Sequence, residues 1–129
     1  MPASGLDLQY RPDLPALIAR WQRNVSPTEL QAGYDAVRTL ADEVCCHRWL
    51  LDLRRRDDLA DLVTTTWFGQ VFVPSLRQRY QAPVRLAFLV SPLRAAEPVA
   101  IGEAPAPTDC VIANFTDEAA AHRWLHEGA

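Results

Sequence analysis

Three consecutive arginines, Arg54, Arg55 and Arg56, follow Asp52 and Leu53, and three consecutive threonines, Thr64, Thr65 and Thr66, stand a short way beyond. A guanidinium offers paired N–H donors that match phosphate and carboxylate oxygens. The threonine hydroxyls would add neutral donors. Asp52, Arg54, Arg55, Arg56, Thr64, Thr65 and Thr66 are therefore the candidate anion- or ligand-binding residues. Asp57, Asp58 and Asp61 lie between the two clusters and cancel the local charge. A solvated corner, with surface pairs each worth about 0–1 kcal/mol, is the commoner origin of such a run. Asp52 would be a general base if desolvated; capping a turn is the favoured role.

Other reactive chemistries find little material. His122 and His126 are four apart, a metal-binding spacing on a helix, but there is no HExxH and no third ligand, so no metal site is expected. Cys45 and Cys46 are adjacent, which strains any bond between them, and no CxxC occurs. They read as small apolar side chains of the interior. With five glycines and no GxSxG, P-loop or dinucleotide pattern, no catalytic residue and no cofactor is assigned. Trp67, Phe68, Phe72 and Tyr80 cluster on one segment. They are candidates for an apolar pocket or interface, while filling the core is the simpler role for most of them.

The elements that must position these residues follow from periodicity. LDLQYR at 6–11 alternates apolar and polar and reads as a strand. After a turn at Pro12, Asp13 and Pro15, ALIARWQ at 16–22 alternates again, with Leu17, Ala19 and Trp21 on one face and Ala16, Ile18 and Arg20 on the other. Ser26, Pro27 and Glu29 predict a capping box, with Val25 and Leu30 as its hydrophobic staple. The helix they open should run to about Cys45 and bury Leu30, Tyr34, Val37, Ala41 and Val44. Asp35, Arg38 and Asp42 lie on its other side, at pairing distance. RWLLDL at 48–53 reads as a strand covered on both faces.

A second helix is expected over about 63–80, kinked or broken at Pro74, with a strand at 70–73 as the competing reading. VRLAFLV at 84–90 is the central strand, 91–108 a long loop and CVIANF at 110–115 the last strand. Thr116 caps a final helix whose inward stripe is Ala121, Trp124 and Leu125. The order β-β-α-β-α-β-loop-β-α implies an α/β fold: one mixed, mostly parallel five-stranded sheet with three main helices, in a single domain over 1–129. In such sheets ligands sit beyond the C-terminal ends of the parallel strands. That edge would gather Arg23 to Ser26, Asp52 to Arg56 and Ser91 to Arg94.

Half of the chain, 49%, is hydrophobic, enough for a core rather than disorder. A net charge of -3 argues against a nucleic-acid partner and against a polybasic membrane patch. The longest apolar runs are far too short to span a bilayer, so no integral membrane association is expected. MPASGLDLQY has neither a basic n-region nor an apolar h-region, so no signal peptide is expected and a cytoplasmic location is the default.

Taken in order, Arg20-Trp21, the SPTEL helix start, WLLDLR at 49–54, VRLAFLVSP at 84–92 and the terminal FTDEAAAHRWL at 115–125 resemble the SpoIIAA-like domains of the STAS superfamily, the STAS/SEC14 type. The resemblance covers almost the whole chain. It implies a compact α/β domain that regulates or senses ligands rather than an enzyme, and some such domains bind nucleotides. It departs at one point: Arg54 stands where the family's D-L-S serine would be, and no Ser-Ser-Gly follows. The family's phosphorylation mechanism is therefore not carried over. The expected function is a non-enzymatic regulatory or interaction module that binds a partner protein or small ligand, with homodimer formation left open. The alternative is a small-molecule or lipid carrier with an internal apolar pocket.

Overall fold

The computed structural model describes residues 6–22, 26–55, 67–76, 80, 84–91 and 110–127. The alternating segments form strands β1 (Leu6–Arg11) and β2 (Ala16–Trp21), which pair antiparallel as a hairpin. The Arg11 carbonyl accepts the Leu14 amide at 3.1 Å to close the turn. Strands β3 (Arg48–Asp52), β4 (Val84–Leu89) and β5 (Cys110–Phe115) then add in parallel, each beside the strand before it. The sheet order is β1-β2-β3-β4-β5. It is mixed and mostly parallel, as the alternation of strands and helices predicts. Of the expected long loop at 91–108, all but Ser91 lies outside the described residues.

Helix α1 (Pro27–Val44) begins on the expected capping box: Ser26 Oγ accepts the Glu29 amide at 3.1 Å, and Glu29 Oε1 accepts the Ser26 amide at 3.0 Å. Val25, the other half of the expected staple, lies outside the described residues. Leu30, Tyr34, Val37 and Ala41 are buried and Val44 packs against them, so the predicted stripe is the buried one. Asp35 pairs with Arg38 at 3.1 Å, whereas Asp42 accepts the Tyr80 hydroxyl at 2.8 Å. The helix ends at Cys45, whose φ of 54° is left-handed, and the Cys46 amide reaches back to the Ala41 carbonyl at 3.1 Å. Glycine is the residue this position favours, because it has no Cβ to crowd the carbonyl. Cys45→Gly is therefore expected to stabilise the protein by about 0.5–1 kcal/mol, read as a higher urea midpoint at unchanged slope. Cys45 is exposed rather than interior, while Cys46 is buried as expected.

The expected second helix takes another form. Among the described residues it is a π turn over Phe68–Phe72, closed by the Val73 amide on the Phe68 carbonyl at 2.9 Å, then a 3₁₀ turn over Pro74–Leu76. Proline at 74 has no amide to continue the ladder, so the break falls where the sequence places it. The competing strand at 70–73 does not form. Helix α2 (Glu118–Glu127) starts one residue later than expected. Asp117, not Thr116, caps it, its Oδ2 accepting the Ala120 amide at 3.2 Å.

Strand alternation sends the side chains to two layers. Leu17, Ala19, Trp21, Trp49, Leu51, Leu86 and Phe88 face α1 and the π turn. Ala16, Ile18, Leu50, Ala87 and Leu89 face α2, where Ala121 and Leu125 close a smaller core. α1 lies close to the sheet at Gly33, where a Cβ would stand 3.2 Å from the Trp21 ring. The far end of α2 is tied down by arginine. Arg48 Nε donates to the Leu125 carbonyl at 3.1 Å, and Arg85 Nη2 to the Trp124 carbonyl at 2.6 Å. These carbonyls belong to the last turn, which has no helical donor of its own. Arg85 also lies 4.1 Å from the Trp124 ring centre. Among the described residues, no helix is long and apolar enough to cross a membrane.

Candidate functional site

Residues alternate along β2 and β3, so Arg20 follows Ile18, and Asp52 follows Leu50, onto the α2 face. The parallel register sets Arg20 beside Asp52. At this height the small core has ended and the N-terminus of α2 passes overhead, bringing Glu118 down onto Arg20. The result is a polar cleft of about 500 Å³ at the C-terminal edge of β2 and β3. Arg20, Trp21, Gln22, Asp52, Arg54, Arg55 and Glu118 line it.

Asp52 is 6% exposed and is the buried charged residue among those described. Its Oδ1 accepts the Arg54 amide at 3.1 Å, so it caps the turn that ends β3, the role favoured from sequence. The Arg54 guanidinium closes on both Asp52 oxygens, at 3.0 and 2.8 Å. Arg20 Nη1 reaches Asp52 Oδ2 at 2.7 Å. Burial pushes the Asp52 carboxyl up, but the Arg54 side chain and amide and the Arg20 guanidinium outweigh it, and the group stays below its ordinary value.

Arg20 serves two acids at once. Beyond Asp52, it places Nη1 and Nη2 on the two Glu118 oxygens at 3.0 and 2.9 Å. The chain has no lysine, so all 13 of its basic side chains are guanidiniums. A planar fork with five donors can bridge two carboxylates in fixed geometry, as an ammonium does not. Hydrogen bonding from Arg20, partly offset by burial, holds the Glu118 carboxyl below its ordinary value. The Arg20 guanidinium is raised in turn, chiefly by Glu118. Arg54 Nη2 lies 3.6 Å from Glu118 Oε1, and His122 Nε2 lies 3.5 Å from Oε2. Arg55 donates through Nη1 to Gln22 Oε1 and has no carboxylate partner among the described residues.

Of the residues proposed from sequence, Asp52, Arg54 and Arg55 come together in this cleft. Arg56, Thr64, Thr65 and Thr66 lie outside the described residues. The aromatic candidates sit on the opposite face of the sheet. Phe68 and Phe72 are buried, with ring centres 5.1 Å from that of Tyr34. Trp67 and Tyr80 are partly buried against the same core. Arg20, Trp21, Gln22 and Glu118 are the lining residues that the sequence did not single out as a site. The available signal was an arginine on the inward face of an apolar strand, which needs an acid once the sheet is covered. Among the described residues, no group of three or more His, Cys, Asp or Glu side chains is placed to hold a metal ion.

Comparison with protein-family models, with curated proteins and with solved structures returns no match to this chain.

Proposed function

We propose that this chain is a non-enzymatic binding module of the STAS-like type, which recognises an anionic group on a small ligand at the C-terminal edge of its parallel strands. The observation that carries the reading is the cleft itself: three guanidiniums, from Arg20, Arg54 and Arg55, face a space of about 500 Å³. Small-ligand sites commonly measure about 300–1,000 Å³. The two carboxylates in the cleft favour binding over acid–base chemistry. Both are held by arginine below their ordinary values, so neither is poised to exchange a proton near neutral pH. Regulation of a partner protein in the cytoplasm, through the liganded state of this edge, fits the same reading.

Titration with inorganic phosphate and with benzoate at fixed ionic strength, followed by calorimetry and by backbone amide NMR, tests it. The amides of Gln22, Arg54 and Arg55 are expected to shift together. Arg55→Ala removes one charge-assisted contact and is expected to weaken binding by about ten- to a hundredfold, since such contacts are worth about 1.5–3 kcal/mol. No saturable binding of either anion, or equal binding by the variant, would reject the reading.

A further inference from the structure

Glu118 occupies Arg20 in the manner of a ligand. Its two oxygens meet Nη1 and Nη2 at 3.0 and 2.9 Å, the paired geometry by which a guanidinium also receives a phosphate. The other acid on Arg20 is held differently. Asp52 is buried and fixed by the Arg54 amide and by both arms of the Arg54 guanidinium as well as by Arg20. The Glu118 side chain is 35% exposed, sits on the first residue of α2 and has no backbone donor among its described partners. One of the two acids is therefore built in, and the other rests on the surface of the cleft.

Resting on the anion-binding reading above, we propose that Glu118 is an internal occupant of the ligand seat, displaced from Arg20 when a small phosphate monoester binds. Charge identifies the ligand class. With Glu118 in place, three guanidiniums face two carboxylates, and one positive charge is left in the cleft. With Glu118 swung out, Asp52 alone opposes them and two are left. That matches a phosphate monoester, which carries nearly two negative charges above about pH 7, better than a monocarboxylate. Arg55, which has no acid of its own among the described residues, then becomes a second anchor beside Arg20. The contact with Glu118 is thus autoinhibitory. The ligand pays for its displacement, and specificity follows because a singly charged anion gains less from the exchange.

The experiment compares wild type with Glu118→Gln, using phenyl phosphate and benzoate as probes at pH 7.5 and constant ionic strength. Glutamine keeps the shape and removes the competing charge. Phenyl phosphate is expected to bind Glu118→Gln about tenfold more tightly than wild type, the penalty for a competent state that is a minor population. Benzoate is expected to gain less. A second readout needs no variant: the ¹³C carboxyl titration of Glu118 in wild type should move upward when phenyl phosphate saturates the cleft, because its guanidinium partner has been taken. Equal affinity in the two proteins together with an unmoved Glu118 titration would overturn the displacement and leave anion binding standing. Failure of both probes to bind either protein would overturn both. If Glu118→Gln does not fold, the wild-type titration decides alone.

Discussion

Trp49→Ala will lower the unfolding free energy by about 3–5 kcal/mol, the cost of deleting a large ring from a packed interior. Trp49 has no exposed surface. Its ring lies 6.1 Å from Phe72 and 6.5 Å from Tyr80, so it joins the sheet to the π turn and to the chain beyond it. Its Nε1 donates to the Cys46 carbonyl at 2.9 Å and so fixes the entry to β3 from α1. Domains of this size hold about 5–15 kcal/mol in all. The variant will therefore stand near the threshold of unfolding, and its melting temperature will fall steeply. Trp49→Phe keeps most of the volume and strands the Cys46 carbonyl. It should cost about 1–3 kcal/mol, the penalty for an unsatisfied buried acceptor. Guanidinium unfolding at pH 7 measures both. A loss below 1 kcal/mol for the alanine variant would contradict the packing described around β3.

Asp52→Ala is expected to cost about 2–3 kcal/mol at pH 7, below the 3–5 kcal/mol of a fully buried pair broken on one side. The discount has a structural reason. The Arg54 side chain is 42% exposed and can return to water, and Arg20 keeps Glu118. What remains is the loss of the turn cap at the Arg54 amide and of the donor pairs on a buried carboxylate. The same residue sets part of the acid response. Asp52 and Glu118 are both lowered in the folded protein, so the unfolded chain binds protons more readily. Their contribution is complete above the ordinary carboxylate range, about pH 5, and is lost as pH falls through the lowered folded values. Urea midpoints of wild type should drop below about pH 4, after a smaller decline that begins as pH falls through the ordinary histidine range, because burial and the nearby Arg48 and Arg85 hold the His47 imidazole below its ordinary value. Asp52→Ala should show a shallower drop. An unchanged acid slope would mean that the carboxylate is not held as the geometry indicates.

The parts of this molecule that could be read from sequence are those decided by near neighbours. Ser26, Pro27 and Glu29 are adjacent enough to dictate their own hydrogen bonds, and the cap forms as written. In ALIARW, alternation alone puts Arg20 on the face opposite Trp21, with Ala16 and Ile18, and the structure covers that face with α2. Asp52 as a turn cap followed from its place at the end of an apolar strand. The Arg20–Glu118 pair was not legible, because it joins residues 98 apart whose meeting depends on sheet order and on where α2 passes. The Thr116 assignment failed by one residue because both Thr116 and Asp117 have capping side chains, and local chemistry does not choose between them. The π turn was missed for a different reason. Its i→i+5 hydrogen bond accompanies the packing of Phe68 and Phe72 against Tyr34 in the assembled core, which the amphipathic spacing of the segment does not encode.

The sheet order β1-β2-β3-β4-β5 also bears on how the protein is born. Each strand pairs with the one synthesised just before it, so no strand has to wait for a distant partner or be threaded between two that are already paired. A chain growing from a ribosome can extend this sheet one edge at a time, with the newest edge the only one unfinished on that side. The arginine and aspartate of the cleft are laid down with β2 and β3, whereas the glutamate that closes over them arrives with α2, after β5. The glutamate therefore reaches Arg20 only after all five strands have been made, and a nascent chain that stalls before α2 carries Arg20 and Asp52 without it.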